Sequence, residues 1–336
     1  MSSLLKITIE VLGVTLPIFA VIAIGFFIKK RGVISDENVP VLNKLTYNFG
    51  LSALVFIQIA ENKFSDIFDA KLLKVLFPTY FSYIIIIFFA LFFTKINLRT
   101  RSAMIVSSFR NNMAFIGMPI LLYAFGALAS AKASIVIAFL LPLNVILTAL
   151  FFQFFGMKGD SKNTDSKSNV EGNGNGRSRV SIGRMLKEIF LDPVIIAVIA
   201  GLIISYFNVS LPKPVSSIFN ILSDMAVPLA LISIGASFKF SHVRNNLKYI
   251  SIISAAKLIL FPLISLMFSL YVFKLDSLDM STLCILFATP VAVATYIQGQ
   301  KYDTDTNFIS SVIITSTIAS AVSLTMWLFI LKMINS

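Results

Sequence analysis

Ten stretches of about 20 apolar residues, each long enough to cross a bilayer core as a helix, are separated mostly by short polar loops. They leave this chain few ways to fold. They lie at about 8–28, 38–60, 74–94, 102–125, 131–155, 189–208, 214–237, 249–273, 280–300 and 306–331. In lipid every backbone donor and acceptor needs a protein partner, which a helix supplies within one segment. The runs are continuous rather than short and alternating, so spanning helices are expected and a barrel is not. With 57% hydrophobic residues, 32 phenylalanines and only 13% charged residues, the chain has more apolar surface than a water-soluble core could hide. The expected class is an all-α integral membrane protein. The first run is followed at once by Lys29, Lys30 and Arg31, the wrong flank for a cleaved signal peptide, so it reads as a transmembrane helix.

Residues 16–65 recur, shifted by 176 places, as residues 192–241. Pro17 returns as Pro193, Gly25 as Gly201, Ala60 as Ala236, and Lys63, Phe64, Ser65 as Lys239, Phe240, Ser241; nine of the fifty pairs are identical. An odd number of crossings separates the copies, so they are expected upside down relative to one another, as in many secondary transporters. The division expected is a first five-helix repeat at 1–156, a flexible linker at 157–187 and a second, inverted five-helix repeat at 188–336. The linker is rich in Ser, Asn, Gly and Lys and has too little apolar area to fold.

Charge orients the chain. Loops after the odd-numbered spans carry 17 Lys and Arg, seven of them in the linker, against 8 on the opposite side. The positive-inside rule then predicts a cytoplasmic linker and both termini outside, in a multi-pass cell-membrane protein. The +12 net charge lies in these loops rather than on one soluble face, which argues against nucleic acid as a partner. One cysteine, Cys284, and one histidine, His242, leave no disulfide and no Cys/His metal cluster. No phosphate-binding glycine loop, nucleophile triad or paired acids stand out, so neither catalysis nor ATP-driven transport is expected, and no cofactor.

Chemistry concentrates at two interruptions. Span four carries Arg110, Asn111, Asn112 and then Gly117 and Pro119; span nine carries Thr289, Pro290 and Thr295. Each proline removes a backbone donor and is expected to break its helix, which lipid tolerates only where protein or a water-filled cavity lines the gap. Counting about 1.5 Å per residue, both interruptions fall near mid-membrane, approached from opposite faces. Half-helix N-termini there would direct unpaired N–H groups at an anion; otherwise the prolines merely kink packed helices. Arg110 inside a span is a functional candidate, able to pair with a carboxylate unless it snorkels to the cytoplasmic edge. Lys257 in span eight has the same two readings. Asp224 in span seven stands at the repeat position of Asn48; it is a candidate for proton or sodium coupling, or else lies in the headgroup region or pairs with Lys257.

At these residues the chain resembles the auxin efflux carrier family, which holds plant auxin carriers and bacterial malate and malonate permeases. The resemblance rests on Asn111, Gly117 and Pro119; on Ala226, Pro228 to Leu231 and Ile234 to Ser237; on Lys257 with Pro262; and on Pro290 to Ala294 with Lys301, Tyr302 and Asp303. It covers nearly the whole chain apart from the linker. Ala294, beside Thr295, departs from the asparagine usual in the family. The resemblance implies a fold similar to that of the bile-acid sodium symporters, with spans four and nine crossing at their broken centres. It also implies a scaffold of spans one, two, six and seven, a transport domain of the other six that moves as an elevator, and a homodimer through the scaffold. The function expected is a secondary carrier for a small organic anion, a carboxylate. The alternative is a passive anion channel or membrane sensor using the same cavity.

Overall fold

Polar residues at loop ends start the helices. Asp69, Asn97, Asp192, Asp276 and Asp305 each precede a helix and accept a hydrogen bond from a first-turn N–H that no helical carbonyl can reach. The computed structural model describes residues 3–156, 187, 190–238, 247–302 and 304–335. Residues 157–186 of the expected linker, the repeat positions 239–241, His242 and Asp303 lie outside them.

The helices run in this order: α1 Ser3–Lys30, α2 over 38–60, α3 Ala70–Phe92, α4 Leu98–Phe109, α5 Met113–Phe125, α6 Ala127–Gly156, α7 Pro193–Tyr206, α8 Lys213–Ala236, α9 Leu247–Val272, α10 Ser277–Ala288, α11 Ala294–Lys301 and α12 Thr306–Ile334. Six helical segments are long and apolar enough to cross a membrane, and α5, α7 and α10 are shorter apolar helices. Large apolar side chains face outward all round, among them Leu16, Phe89, Ile221 and Val322. Water would penalise so much exposed hydrocarbon and lipid does not, as expected of a multi-pass membrane protein.

Four glycines let one group of helices approach backbone to backbone. A Cβ on Gly25 in α1 would overlap the Ile232 carbonyl oxygen of α8, and one on Gly235 in α8 would overlap the Ile22 carbonyl oxygen of α1. Gly201 of α7 lies similarly against Ile59 and Phe56 of α2, and Gly50 of α2 against Ala226 of α8. Small residues at helix crossings are the usual means of close packing in lipid, where dispersion rather than water expulsion drives association.

A second group is tied by aromatic rings and buried polar pairs. Tyr83 of α3 stacks on Phe261 of α9 at 3.9 Å between centroids, and Phe261 on Phe287 of α10 at 4.3 Å. Tyr80 donates to Asn144 Oδ1 of α6 at 2.8 Å, and Trp327 of α12 donates to the Leu258 carbonyl at 2.8 Å. Lys132 of α6 pairs with Asp279 in the first turn of α10 at 2.5 Å, both side chains almost wholly buried.

Substituting Gly235 by Ala should lower the midpoint of thermal unfolding in detergent, because relieving the overlap with Ile22 costs about 1–3 kcal/mol. Gly13→Ala in α1, where nothing lies within 4 Å of the new carbon, should not lower the midpoint, since alanine is the better helix former.

Candidate functional site

The two interruptions have different local causes. In the α10–α11 segment, Pro290 confines Thr289 to extended backbone, φ −68° and ψ 149°, and α10 therefore stops at Ala288. In the α4–α5 segment the break falls at Arg110–Asn112, not at Pro119 as the sequence suggested. Pro119 sits in the first turn of the helix Met118–Phe125, immediately after a π-helical turn, Met113–Gly117, in which the Met118 N–H reaches back to the Met113 carbonyl. The wider turn accommodates the missing donor without ending the helix. Arg110 is extended, at φ −75° and ψ 102°, and Asn112 follows at φ −85° and ψ 56°.

The two extended segments pair with each other. Asn111 and Val291 form an isolated antiparallel bridge. Asn112 N–H donates to the Pro290 carbonyl at 2.8 Å, and Ala292 N–H donates to the Arg110 carbonyl at 3.1 Å. The Val291 N–H is taken by the Ser316 hydroxyl of α12 at 3.2 Å. These bonds supply partners that neither broken helix can provide for itself, deep in the protein.

Around this crossing the side chains are cationic or amide. Arg110 is only 8% exposed, so its guanidinium does not snorkel to an edge, and its Nε has no hydrogen-bond partner. Lys257 is fully buried and projects from a π-helical turn of α9, Ala256–Leu260. Its ammonium donates to the Ser108 carbonyl at 3.2 Å and to Asn111 Oδ1, and lies 5.3 Å from the centre of the Phe261 ring. The amide nitrogens of Asn111 and Asn112 are buried and unpartnered, as is the Thr295 hydroxyl. Arg110 is near enough to Lys257 and to the phenols of Tyr47 and Tyr80 to interact with them electrostatically. Among the described residues no carboxylate forms an ion pair with Arg110 or Lys257; ion pairs elsewhere include Lys29–Asp36, Lys132–Asp279 and Lys332–Glu10.

The crossing thus brings together Arg110, Asn111, Asn112 and Pro290, with Lys257 beside them. Gly117 packs where a Cβ would meet Leu286 and Thr289 side chains at 2.9 and 3.1 Å. Pro119 is buried in the helix beyond. Thr289 spends its hydroxyl on the Leu286 carbonyl of its own helix at 2.8 Å, which makes it a cap rather than a free donor. Asp224 and Asn48 are exposed, and the pairing of Asp224 with Lys257 that the sequence allowed does not occur: the lysine is sealed against Ser108, Asn111 and Phe261. Two further residues and one contact escaped sequence reasoning. Ser316 looks like any small residue of a membrane helix. Tyr47, which donates to Asp192 at 3.0 Å and meets Phe115 edge-on at 6.4 Å, lies 145 positions from its acceptor. Asn111 as the partner of Lys257 is likewise a contact between distant spans.

A family model described as membrane transport protein matches residues 11–328. An uncharacterized transporter of Methanothermobacter thermautotrophicus is 26% identical over 326 residues, 94% of this chain and 97% of that one. A second uncharacterized transporter, from Methanocaldococcus jannaschii, is 24% identical, covering 95% and 98%. A candidate malonate transporter of Rhizobium meliloti is 21% identical, with 96% of each chain covered.

Replacing Ser316 by Ala should leave the buried Val291 N–H without an acceptor and cost about 1–3 kcal/mol, read as a lowered unfolding midpoint. Ser316→Thr, which keeps the hydroxyl, should retain most of the stability.

Proposed function

Since the chain belongs to the membrane transport protein family, the group of the auxin efflux carriers, we propose that it is a secondary carrier for a small organic anion, a carboxylate. One observation carries the choice of an anion. Arg110 and Lys257 are buried at the crossing of two broken helices with no acidic partner among the described residues. An uncompensated buried charge is costly, and a bound carboxylate offsets it. The helix N-termini at Met113 and Ala294 add partial positive charge. The unpartnered amides of Asn111 and Asn112 and the Thr295 hydroxyl offer directional hydrogen bonds. The malonate ascribed to the Rhizobium meliloti relative fits this chemistry.

The proposed architecture is ten spans in two inverted five-helix repeats, with the linker cytoplasmic and both termini outside. Its support is the contact pattern. The approach of Gly25 to Ile232 has its counterpart, 176 places on and 176 back, in that of Gly201 to Phe56. Gly50 and Ala226, themselves 176 apart, touch each other. In the same reading, α1, α2, α7 and α8 form the scaffold held by these small residues, while the aromatic and polar ties unite α3, α6, α9, α10 and α12 in the moving part. Sliding of the second group past the first exposes the crossing to each side in turn. On α8, Ser217, Asn220 and Asp224 form an exposed polar stripe at helical spacing. Lipid is a poor neighbour for it, and a second copy docking through the scaffold covers it. Coupling through Asp224 would have to act across this exposed face.

Uptake of radiolabelled malonate and related carboxylates into proteoliposomes tests the reading. Arg110→Ala should reduce uptake at least about a hundredfold, the loss expected when a desolvated charge-assisted contact disappears. Arg110→Lys should recover part of it. Undiminished uptake by the alanine variant would remove Arg110 from the site.

A further inference from the structure

The sequence places Lys257 alone on an apolar stretch, but the fold gives its ammonium three electron-rich contacts, with the Arg110 guanidinium also within electrostatic reach. The Ser108 carbonyl, at 3.2 Å, is one of the last carbonyls of α4, which has no helical N–H to serve because the chain leaves the helix at Arg110. Asn111 Oδ1 belongs to the extended segment itself. The face of Phe261 closes the remaining side at 5.3 Å. An ammonium has three donors and no acceptor, and a carbonyl, an amide oxygen and a ring face match all three.

Carbonyls at the C-terminal end of a broken helix, beside unwound backbone, are the groups with which membrane carriers of broken-helix design hold a coupling sodium ion. Here a side chain from α9 fills that position. The opposite half is built differently: near the C-terminus of α10 the Leu286 carbonyl accepts the Thr289 hydroxyl, a neutral cap. The cation therefore stands on one side of the crossing only.

Its consequence passes through Asn111. Because the ammonium only donates, the amide oxygen of Asn111 must face Lys257, and its Nδ2 is directed elsewhere, buried and without an acceptor. We propose that Lys257 is a resident, tethered cation seated at the broken end of α4, which turns the Asn111 amide nitrogen toward the anion and makes anion binding independent of sodium. Lys257 is in this sense a positioning residue, and its role deepens the carboxylate-carrier reading, on which the binding arm of the test rests.

The full-length chain in lipid nanodiscs provides the test. Trp327 is the single tryptophan, and its Nε1 donates to the carbonyl of Leu258, the neighbour of Lys257; its fluorescence reports on the seat. Malonate is titrated in sodium chloride and in N-methyl-D-glucamine chloride, and the wild-type affinity should agree within about twofold. Lys257→Ala should weaken binding about tenfold to a hundredfold, as for loss of a charged hydrogen-bond donor. Sodium or methylammonium, small enough for the vacated seat, should restore it to within about threefold. Lys257→Met, whose side chain refills the space without charge, should show the loss without the rescue. A sodium-dependent wild-type affinity, an alanine variant that binds normally, or a loss that no small cation repairs would each overturn the proposal. If wild-type protein binds no carboxylate at all, the carrier reading fails, and the seat is judged by melting instead. Sodium or methylammonium should raise the unfolding midpoint of Lys257→Ala but not of wild type, and an equal response in both would refute it.

Discussion

A backbone amide or carbonyl buried in a membrane protein must have a partner, and the pairing of Arg110–Asn112 with Pro290–Ala292 is how this chain tolerates two interrupted helices. Alone, either break would strand several polar groups. Together they exchange two hydrogen bonds, and Ser316 and Lys257 take up a third donor and a buried carbonyl left without a helical donor. Four helix ends consequently converge on one small volume. Groups left over after the mutual pairing, the Arg110 Nε and the amide nitrogens of Asn111 and Asn112, stay buried without a hydrogen-bond partner, and the proposed anion site is built on them.

The rest of the molecule can be understood as holding those segments in register. Glycine contacts between α1 and α8 and between α2 and α7 lock one group through backbone proximity. Rings from α3, α9 and α10, with the Lys132–Asp279 and Tyr80–Asn144 pairs, stiffen the other beneath the crossing. Between the groups the recorded contacts include Tyr47, anchored by Asp192 at the start of α7, with its ring edge against Phe115. Such a division suits sliding, since dispersion contacts between apolar faces re-form at many positions whereas buried polar pairs do not.

The charge arrangement is asymmetric although the backbone crossing is nearly symmetric. Arg110 and Lys257 both belong to the α4 side, through sequence in one case and through the Ser108 carbonyl in the other. The α10 side offers Thr289, already self-capped, and Thr295. In the proposed carrier an anion is held mainly by one broken helix, while the other completes the backbone pairing.

Much of this was legible in the amino-acid order because it follows from local chemistry. Long apolar runs dictate helices in lipid, Pro290 dictates the end of α10, and an arginine with two asparagines inside a span marks a place where polar groups are needed. The position of the first break was not legible. Proline pointed to residue 119, but a π-helical turn can absorb a missing donor, and whether it does depends on the packing of Gly117 against Leu286 and Thr289. Nor could sequence spacing join Lys257 to Asn111, Val291 to Ser316 or Tyr47 to Asp192, which lie 146, 25 and 145 positions apart. Composition and periodicity settled that the chain is a helical membrane protein with two polar interruptions. Only the tertiary structure decided that the interruptions satisfy one another, because a hydrogen bond across distant spans depends on where the helices meet and not on the order of their residues.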